Sequence, residues 1–139
     1  GFTETTGRSR AATAFFPSTT QRTRIPMSLI AIDFDNTLTE DSGDPYKTGG
    51  ESPNEEMVEY VRWLKEEQNE EIIIWTARPW AHAQHIAGLC IMWGVPFNGL
   101  LCGKGGADAY VDDKAVNHIN DPDWQEGVSR IAGEHRGRH

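Results

Sequence analysis

Three short apolar runs in this sequence each stop abruptly at polar, chemically reactive side chains. The runs are residues 29–32, 72–75 and 109–111, and the residues that follow them are Asp33, Thr76 and the pair Asp112 and Asp113. Runs this short are too short for helices and are typical of strands buried on both faces of a parallel sheet. Ligands of such sheets bind beyond the carboxyl ends of the strands, so the pattern predicts one site at that edge.

Helical patterns separate these predicted strands. Residues 52–55 offer an N-cap at Ser52, a proline at the first helical position and a capping-box glutamate, which together predict a helix over residues 53–67. A second helix is predicted over residues 80–93, with Gly94 as its stop, and a short strand within residues 95–102. Alternating strands and helices predict an α/β fold with a mainly parallel sheet covered on both faces.

The 139 residues have room for one domain with one modest core. Residues 1–26 lack hydrophobic periodicity and hold four arginines and one acid, so we expect a disordered leader. A resemblance to an organellar transit peptide and a translation start at Met27 both remain open. Residues 27–132 are predicted to form the catalytic domain, followed by a frayed tail over residues 133–139.

Charge and composition limit the partners of the domain. Residues 27–139 carry 20 acids and 9 bases, a net charge of −11, which argues against a broad nucleic-acid surface and favours a small anionic substrate. No apolar run approaches the roughly 20 residues of a membrane-spanning helix, so we expect a cytoplasmic protein. Cys90 and Cys102 lack metal or redox spacing and are predicted to be buried free thiols.

The acidic residues at the strand ends favour a metal site. Asp33 and Asp35 lie two apart where the chain turns, so both can converge on one ligand, and buried carboxylates need a cation to stay ionised. Asp112 and Asp113 add hard oxygen ligands from another strand end. This ligand set favours Mg²⁺ over a metal that prefers thiolate or imidazole ligands.

Three other side chains at the same edge are candidates for binding phosphate. Thr76 supplies a hydroxyl group, and Lys104 supplies an ammonium group from a glycine-rich loop over residues 102–106. Arg78 either binds a phosphate or second anionic group or pairs with a surface acid, and both interpretations stay open. Phosphoryl transfer depends mainly on positioning and charge neutralisation, for which these groups suffice.

These residues together resemble the motifs of the haloacid dehalogenase superfamily. The sequence DFDNTL at residues 33–38 resembles motif I, with Asn36 where glycine is commonest, and motifs II, III and IV are matched by Thr76, Lys104 and the pair Asp112 and Asp113. The resemblance spans about residues 28–120. It implies a Rossmann-like, three-layer α/β/α fold, Mg²⁺ and an aspartyl-phosphate intermediate.

The resemblance also implies a role for each residue. Asp33 would attack phosphorus, and Asp35 would protonate the leaving oxygen and then activate water. The backbone carbonyl of Asp35 and the carboxylates of Asp33 and Asp113 would hold Mg²⁺, with Asp112 assisting. The intervals between motifs are too short for a cap domain, so the chain resembles the small capless phosphatases, with residues 39–50 as a flap and an oligomer as an alternative source of a lid.

Several alternatives remain open from the sequence. Within enzymes, the substrate is a small sugar phosphate or nucleotide, or else the 3′ end of a polynucleotide. Outside enzymes, the chain is a non-hydrolytic phospho-aspartate signalling or binding domain, although the order of its acidic motifs differs from that of a receiver domain. His82 and His85 lack suitable metal-ligand partners. Trp80 either lines the mouth of the pocket or packs on the core, and we expect it to pack on the core.

Overall fold

The computed structural model describes residues 28–40 and 49–136. The predicted leader, most of the predicted flap and residues 137–139 of the predicted tail lie outside the described residues. The elements in chain order are β1 (Leu29–Ile32), α1 (Glu55–Glu66), β2 (Glu71–Trp75), a 3-10 turn (Trp80–His82), α2 (Ala83–Trp93), β3 (Gly99–Leu101) and α3 (Trp124–Arg136).

The three strands of the described part form a parallel sheet in the order β1-β2-β3. Strand β2 lies in the centre, where Ile72 and Ile74 are fully buried. β-Branched side chains pack well on a pleated, covered surface, which explains the central position of this isoleucine-rich run. The predicted α/β fold with a parallel sheet is therefore confirmed at the level of a small three-stranded sheet with three α-helices.

Helix α1 begins two residues later than its sequence pattern predicts. Asn54 is the N-cap, because its side chain accepts a hydrogen bond from the backbone N–H of Met57 at 3.3 Å. The prediction of Ser52 as the cap was wrong, since Pro53 pairs with Thr39 in an antiparallel bridge and keeps the chain extended. The helix buries one face, formed by Met57, Val58, Tyr60, Val61 and Leu64.

The predicted end of the second helix is confirmed. Helix α2 stops at Gly94, which adopts φ +76° in the left-handed region where a side chain would be strained. The carbonyl oxygens of Trp93 and Gly94 accept hydrogen bonds from Arg62 on α1. This guanidinium therefore satisfies carbonyls that the helix end leaves open.

The predicted strand over residues 109–111 is absent, so among the described strands β1 lies at an edge of the sheet. Tyr110 and Val111 are exposed, as is Leu29 on β1, so the expectation that β1 is buried on both faces was also wrong. The hydroxyl of Tyr110 donates a hydrogen bond to the carbonyl of Gly105, and this contact holds the segment in a loop. A local tertiary contact thus overrides the apolar pattern.

Helix α3 was not predicted, although its apolar residues recur at helical spacing. Trp124 lies edge-on to Tyr60 with ring centroids 4.6 Å apart, and Val128 also packs against the core. The helix continues to Arg136, past the point where the frayed tail was predicted to begin. Its packing on α1 residues explains why the helix persists there.

Cys90 and Cys102 are free and buried, as predicted. Burial raises the pKa of the Cys90 thiol to about 12, which keeps it protonated and unreactive. In the described part of the chain, no helix is long and apolar enough to cross a membrane.

Candidate functional site

Asp33 directly follows β1 and lies beside a cation. Its Oδ1 atom is 3.9 Å from the Lys104 Nζ atom, and its side chain is 39% exposed. Burial raises the pKa of Asp33, although Lys104, the backbone N–H of Phe34 and His118 act in the opposite direction. The Asp33 carboxylate is thus accessible to a ligand and has a positive charge within reach.

The turn after Asp33 depends on an unusual backbone conformation. Asn36 adopts φ +60°, and its backbone N–H donates to the hydroxyl of Thr39 at 2.9 Å. Asparagine enters this region at lower cost than most residues, which explains how Asn36 can stand where the resembled motif most often has glycine. The carbonyl of Phe34 accepts from Leu38 at 2.9 Å, and the buried Phe34 ring anchors the turn.

Asp35 is held by a bidentate ion pair with Arg78. The Arg78 Nε and Nη2 atoms donate to the two carboxylate oxygens of Asp35 at 2.9 and 2.6 Å. The Arg78 Nη1 atom lies 3.1 Å from Glu51 Oε2, and the Arg78 side chain is fully buried. Burial alone would lower the pKa of the Arg78 guanidinium, but Asp35 and Glu51 raise it. Arg78 therefore pairs with acids inside the site and not with a surface acid.

Glu51 extends this pairing to His85. The Nε2 atom of His85 lies 3.0 and 3.2 Å from the two carboxylate oxygens of Glu51, whose side chain is almost fully buried. Burial raises the pKa of Glu51, but hydrogen bonds with His85 and with the backbone N–H groups of Glu51 and Gly49 outweigh it, and the net pKa is lowered. We call Asp35, Arg78, Glu51 and His85 the charged cluster.

Thr76 and Lys104 are linked through the ends of β2 and β3. Thr76 is buried; its hydroxyl accepts from the backbone N–H of Arg78 at 3.1 Å, and its carbonyl accepts from the backbone N–H of Lys104 at 2.9 Å. These bonds fix the loop that carries the Lys104 side chain. The structure thus brings Asp33, Asp35, Thr76 and Lys104 to one sheet edge, as their positions after the strands predict.

Asp112 and Asp113 lie on an exposed loop. The Oδ1 atom of Asp112 accepts from the backbone N–H of Lys114 at 2.8 Å. Among the residues that the structure describes, no three His, Cys, Asp or Glu side chains are close enough to hold a metal ion. Both Asp35 oxygens are also occupied by Arg78. In this arrangement the acidic side chains do not fit the Mg²⁺ site that the sequence predicts.

A cavity of about 650 Å³ runs along β1 toward α3. Asp33, Lys104 and Asp112 line it together with apolar side chains such as Ile30 and Val128. His118 also lines it, and its Nε2 atom lies 3.0 Å from the carbonyl oxygen of Asn36. An anionic group in this cavity would therefore meet positive charge at the end where Asp33 lies.

Glu51 and His118 are the two site residues that sequence reasoning missed. Each is a single polar residue in an irregular segment, without a repeated spacing or a strand end beside it. Their contacts join positions far apart in the chain, Glu51 with Arg78 and His118 with Asn36. A single sequence carries no local signal for such contacts.

Comparisons with known proteins support the fold alone. No protein-family model matches the chain, and no curated protein matches it significantly. The chain is similar to the crystal structure of a structural-genomics target from Vibrio cholerae, with a TM-score of 0.51 and 23% identity over 80% of this chain and 94% of that chain. At that identity the likeness bears on the α/β fold and not on an activity.

Proposed function

We propose that this chain is an Mg²⁺-dependent phosphohydrolase of the haloacid dehalogenase type, which releases phosphate from a phosphomonoester. The observation that carries the proposal is the accessible carboxylate of Asp33, which lies 3.9 Å from the Lys104 ammonium at the carboxyl end of a parallel strand. A nucleophilic carboxylate beside a cation suits attack on phosphorus, because the cation offsets the repulsion between two anions.

The proposed reaction proceeds through an aspartyl phosphate on Asp33. The Asp33 carboxylate forms a bond to phosphorus as the bond to the substrate oxygen breaks, and Asp35 gives a proton to that oxygen. Water then attacks phosphorus and gives a proton to Asp35, while the bond between phosphorus and the Asp33 oxygen breaks, which releases inorganic phosphate and restores the Asp33 carboxylate. Both Asp35 oxygens accept hydrogen bonds from Arg78, so the proposed proton transfer requires one of these two bonds to open.

Thr76, Lys104 and Arg78 are the proposed phosphate-binding residues, in different ways. Lys104 is placed to contact the phosphate oxygens directly, since its ammonium lies next to Asp33. Thr76 and the fully buried Arg78 are enclosed by protein, so their contact with phosphate would need a small local opening. In this structure, Arg78 forms an ion pair with Asp35.

The three-layer, capless fold and the metal belong to the same proposal. Among the described strands, β1 lies at an edge of the sheet, and the exposed apolar residues 109–111 directly precede the acidic pair. If residues 109–111 joined the sheet, Asp112 and Asp113 would follow a strand end as Asp33 does. Asp33, Asp113 and the Asp35 carbonyl would then hold Mg²⁺, with Asp112 assisting, and the metal would neutralise phosphate charge. We further propose a cytoplasmic protein with a small phosphorylated substrate.

The test is phosphate release by the purified chain, with and without Mg²⁺, from sugar phosphates, nucleotides and 3′-phosphorylated oligonucleotides. Asp33→Asn should lower the Mg²⁺-dependent rate by several orders of magnitude, while Asp108→Asn, an exposed matched control, should not. Release from the oligonucleotides alone would indicate an end phosphatase, and phosphorylation without release a signalling domain. A wild-type rate in Asp33→Asn would overturn the proposal.

We expect Asp33→Asn to fold as stably as the wild type, so that lost activity would report on the nucleophile. The pKa of Asp33 is raised in the folded state, so folding favours its protonated form. Above that folded pKa the ionised carboxylate costs stability, and the neutral asparagine avoids the cost. The variant should therefore melt at the same temperature as the wild type at neutral pH, or slightly above it.

A further inference from the structure

Two aromatic side chains contact Lys104, and a third lies beside the preceding residue of the same loop. The Lys104 Nζ atom lies 4.8 Å from the centroid of the Trp75 ring and 4.9 Å from that of Tyr110. Trp80 reaches the neighbouring residue, since a Cβ added at Gly103 would be 3.9 Å from the Trp80 Nε1 atom. We call Trp75, Trp80 and Tyr110 the aromatic group.

The aromatic group is far more exposed than large rings usually are. Trp75, Trp80 and Tyr110 are 40%, 57% and 53% exposed, so the expectation that Trp80 packs on the core was wrong. A cation–π contact with Lys104 occupies one face of a ring and leaves the rest open. Exposed apolar surface concentrated at a charged site indicates that a ligand covers it.

Tyr110 is held by hydrogen bonds of its hydroxyl, and Trp75 and Trp80 extend from regular backbone. The hydroxyl of Tyr110 donates to the carbonyl of Gly105 and accepts from the backbone N–H of Ala107 at 3.4 Å. Trp75 is the last residue of β2, and Trp80 begins the 3-10 turn before α2. Rings on fixed backbone lose little freedom when a flat ligand stacks on them.

We propose that the phosphomonoester is a nucleoside monophosphate, whose base stacks on the aromatic group while its phosphate lies beside Asp33 and Lys104. This inference rests on the proposed function, in which water and the nucleotide give a nucleoside and inorganic phosphate. A sugar phosphate has no flat ring that would use this surface. A mononucleotide fits better than a long nucleic acid, because residues 27–139 carry a net charge of −11.

The kinetic test compares adenosine 5′-monophosphate with glycerol 3-phosphate for the wild-type chain and for Trp80→Leu, Trp80→Phe and Ile91→Ala. Base stacking on an aromatic side chain contributes enough to change affinity by about 10-fold or more. Trp80→Leu should raise KM for the nucleotide about 10-fold and leave kinetics with glycerol 3-phosphate unchanged. Trp80→Phe should retain the wild-type KM, and so should Ile91→Ala, which alters an exposed apolar residue on α2.

A binding measurement separates this inference from the proposed reaction. Tryptophan fluorescence of the Asp33→Asn chain is titrated with adenosine monophosphate and with inorganic phosphate. Quenching by the nucleotide at concentrations at least about 10-fold below those needed for phosphate would support base stacking, even if the wild type released no phosphate from any substrate. In that case the proposed function would fail while nucleotide recognition stood.

Three outcomes would overturn the inference. Phosphate release with equal kcat/KM from the nucleotide and glycerol 3-phosphate, unchanged in Trp80→Leu, would leave the proposed function standing without base recognition. A Trp75→Leu variant that slows both substrates equally would show that the rings serve only to hold Lys104. Tighter binding of a 3′-phosphorylated oligonucleotide than of the mononucleotide would replace the mononucleotide with a strand end.

Discussion

The two halves of the candidate site differ in how their charges are held. In the charged cluster, Asp35, Arg78, Glu51 and His85 bind one another at 2.6 to 3.2 Å, and Arg78 is fully buried. In the loop that carries Asp112 and Asp113, both carboxylates are exposed. The charges of one half are therefore held by ion pairs among themselves, whereas the acids of the other half lie on an exposed loop.

The difference follows from the cost of removing charge from water. A buried guanidinium or carboxylate is tolerated only when it is paired and hydrogen-bonded, so the charged cluster has to form together with the core. Exposed carboxylates remain hydrated. We infer that the charged cluster is part of the folded structure itself, while the loop acids stay accessible to a cation.

Removing Arg78 should give the largest effect on stability. Arg78→Met leaves Asp35 and Glu51 near each other without their shared cation, and breaking a buried ion pair in this way costs about 3–5 kcal/mol of unfolding free energy. Urea denaturation would measure the loss. Arg130→Met, at an exposed position on α3, is the matched control and should change stability by less than about 0.5 kcal/mol. An equal effect in the two variants would mean that burial does not distinguish the cluster.

Glu51→Gln should have a smaller effect that depends on pH. The variant keeps the shape of the side chain but loses a charged partner of Arg78, which costs about 1.5–3 kcal/mol at neutral pH. The pKa of Glu51 is lowered from 4.5 in the folded state. The stability that the charge supplies is therefore fully present above pH 4.5 and disappears as the pH falls through the lower folded pKa.

Chemical denaturation of the wild type and Glu51→Gln between pH 3 and pH 7 would measure that dependence. The exposed Glu66→Gln on α1 is the control, with little difference from the wild type across the range. If the difference for Glu51→Gln shrank already between pH 7 and pH 5, the charge of Glu51 would not be stabilised by the folded state. The pH range of the loss therefore checks the direction of the pKa shift.

What the sequence predicted well depends on local patterns. The bounds of β1, the end of β2 before Thr76 and the stop of α2 at Gly94 follow from short apolar runs and from one residue that tolerates positive φ. Because parallel strands end at one edge, the meeting of Asp33 with Lys104 was also predictable. These features need no knowledge of distant contacts.

What the sequence did not predict depends on tertiary contacts. Glu51 is one acid among many, and only the fold brings it to Arg78 and His85. The predicted strand over residues 109–111 does not form, because Tyr110 bonds to Gly105 and packs near Lys104. The apolar run alone does not reveal these contacts. Local propensity predicts a strand poorly where a side-chain contact favours a different backbone conformation.

The smallest effect on the metal-free chain is expected at Asp112. Asp112→Asn removes charge from an exposed carboxylate that accepts one backbone hydrogen bond, so the unfolding free energy should change by less than about 0.5 kcal/mol without metal. If this half of the site is completed by a cation, saturating Mg²⁺ should stabilise the wild type, by about 2.7 kcal/mol at 100 times the dissociation constant, and stabilise the variant less.

Thermal melts of the wild type, Asp112→Asn and the exposed control Asp108→Asn, each with and without Mg²⁺, would separate the two halves of the site. A loss of stability in metal-free Asp112→Asn as large as that in Glu51→Gln would show that the loop acids are structural, and the contrast between the halves would disappear. No stabilisation of the wild type by Mg²⁺ would show that the loop acids do not complete a metal site. A Mg²⁺ effect that is reduced in Asp112→Asn and intact in Asp108→Asn would instead mean that the charged cluster is built by folding and the loop is ordered by its ligand.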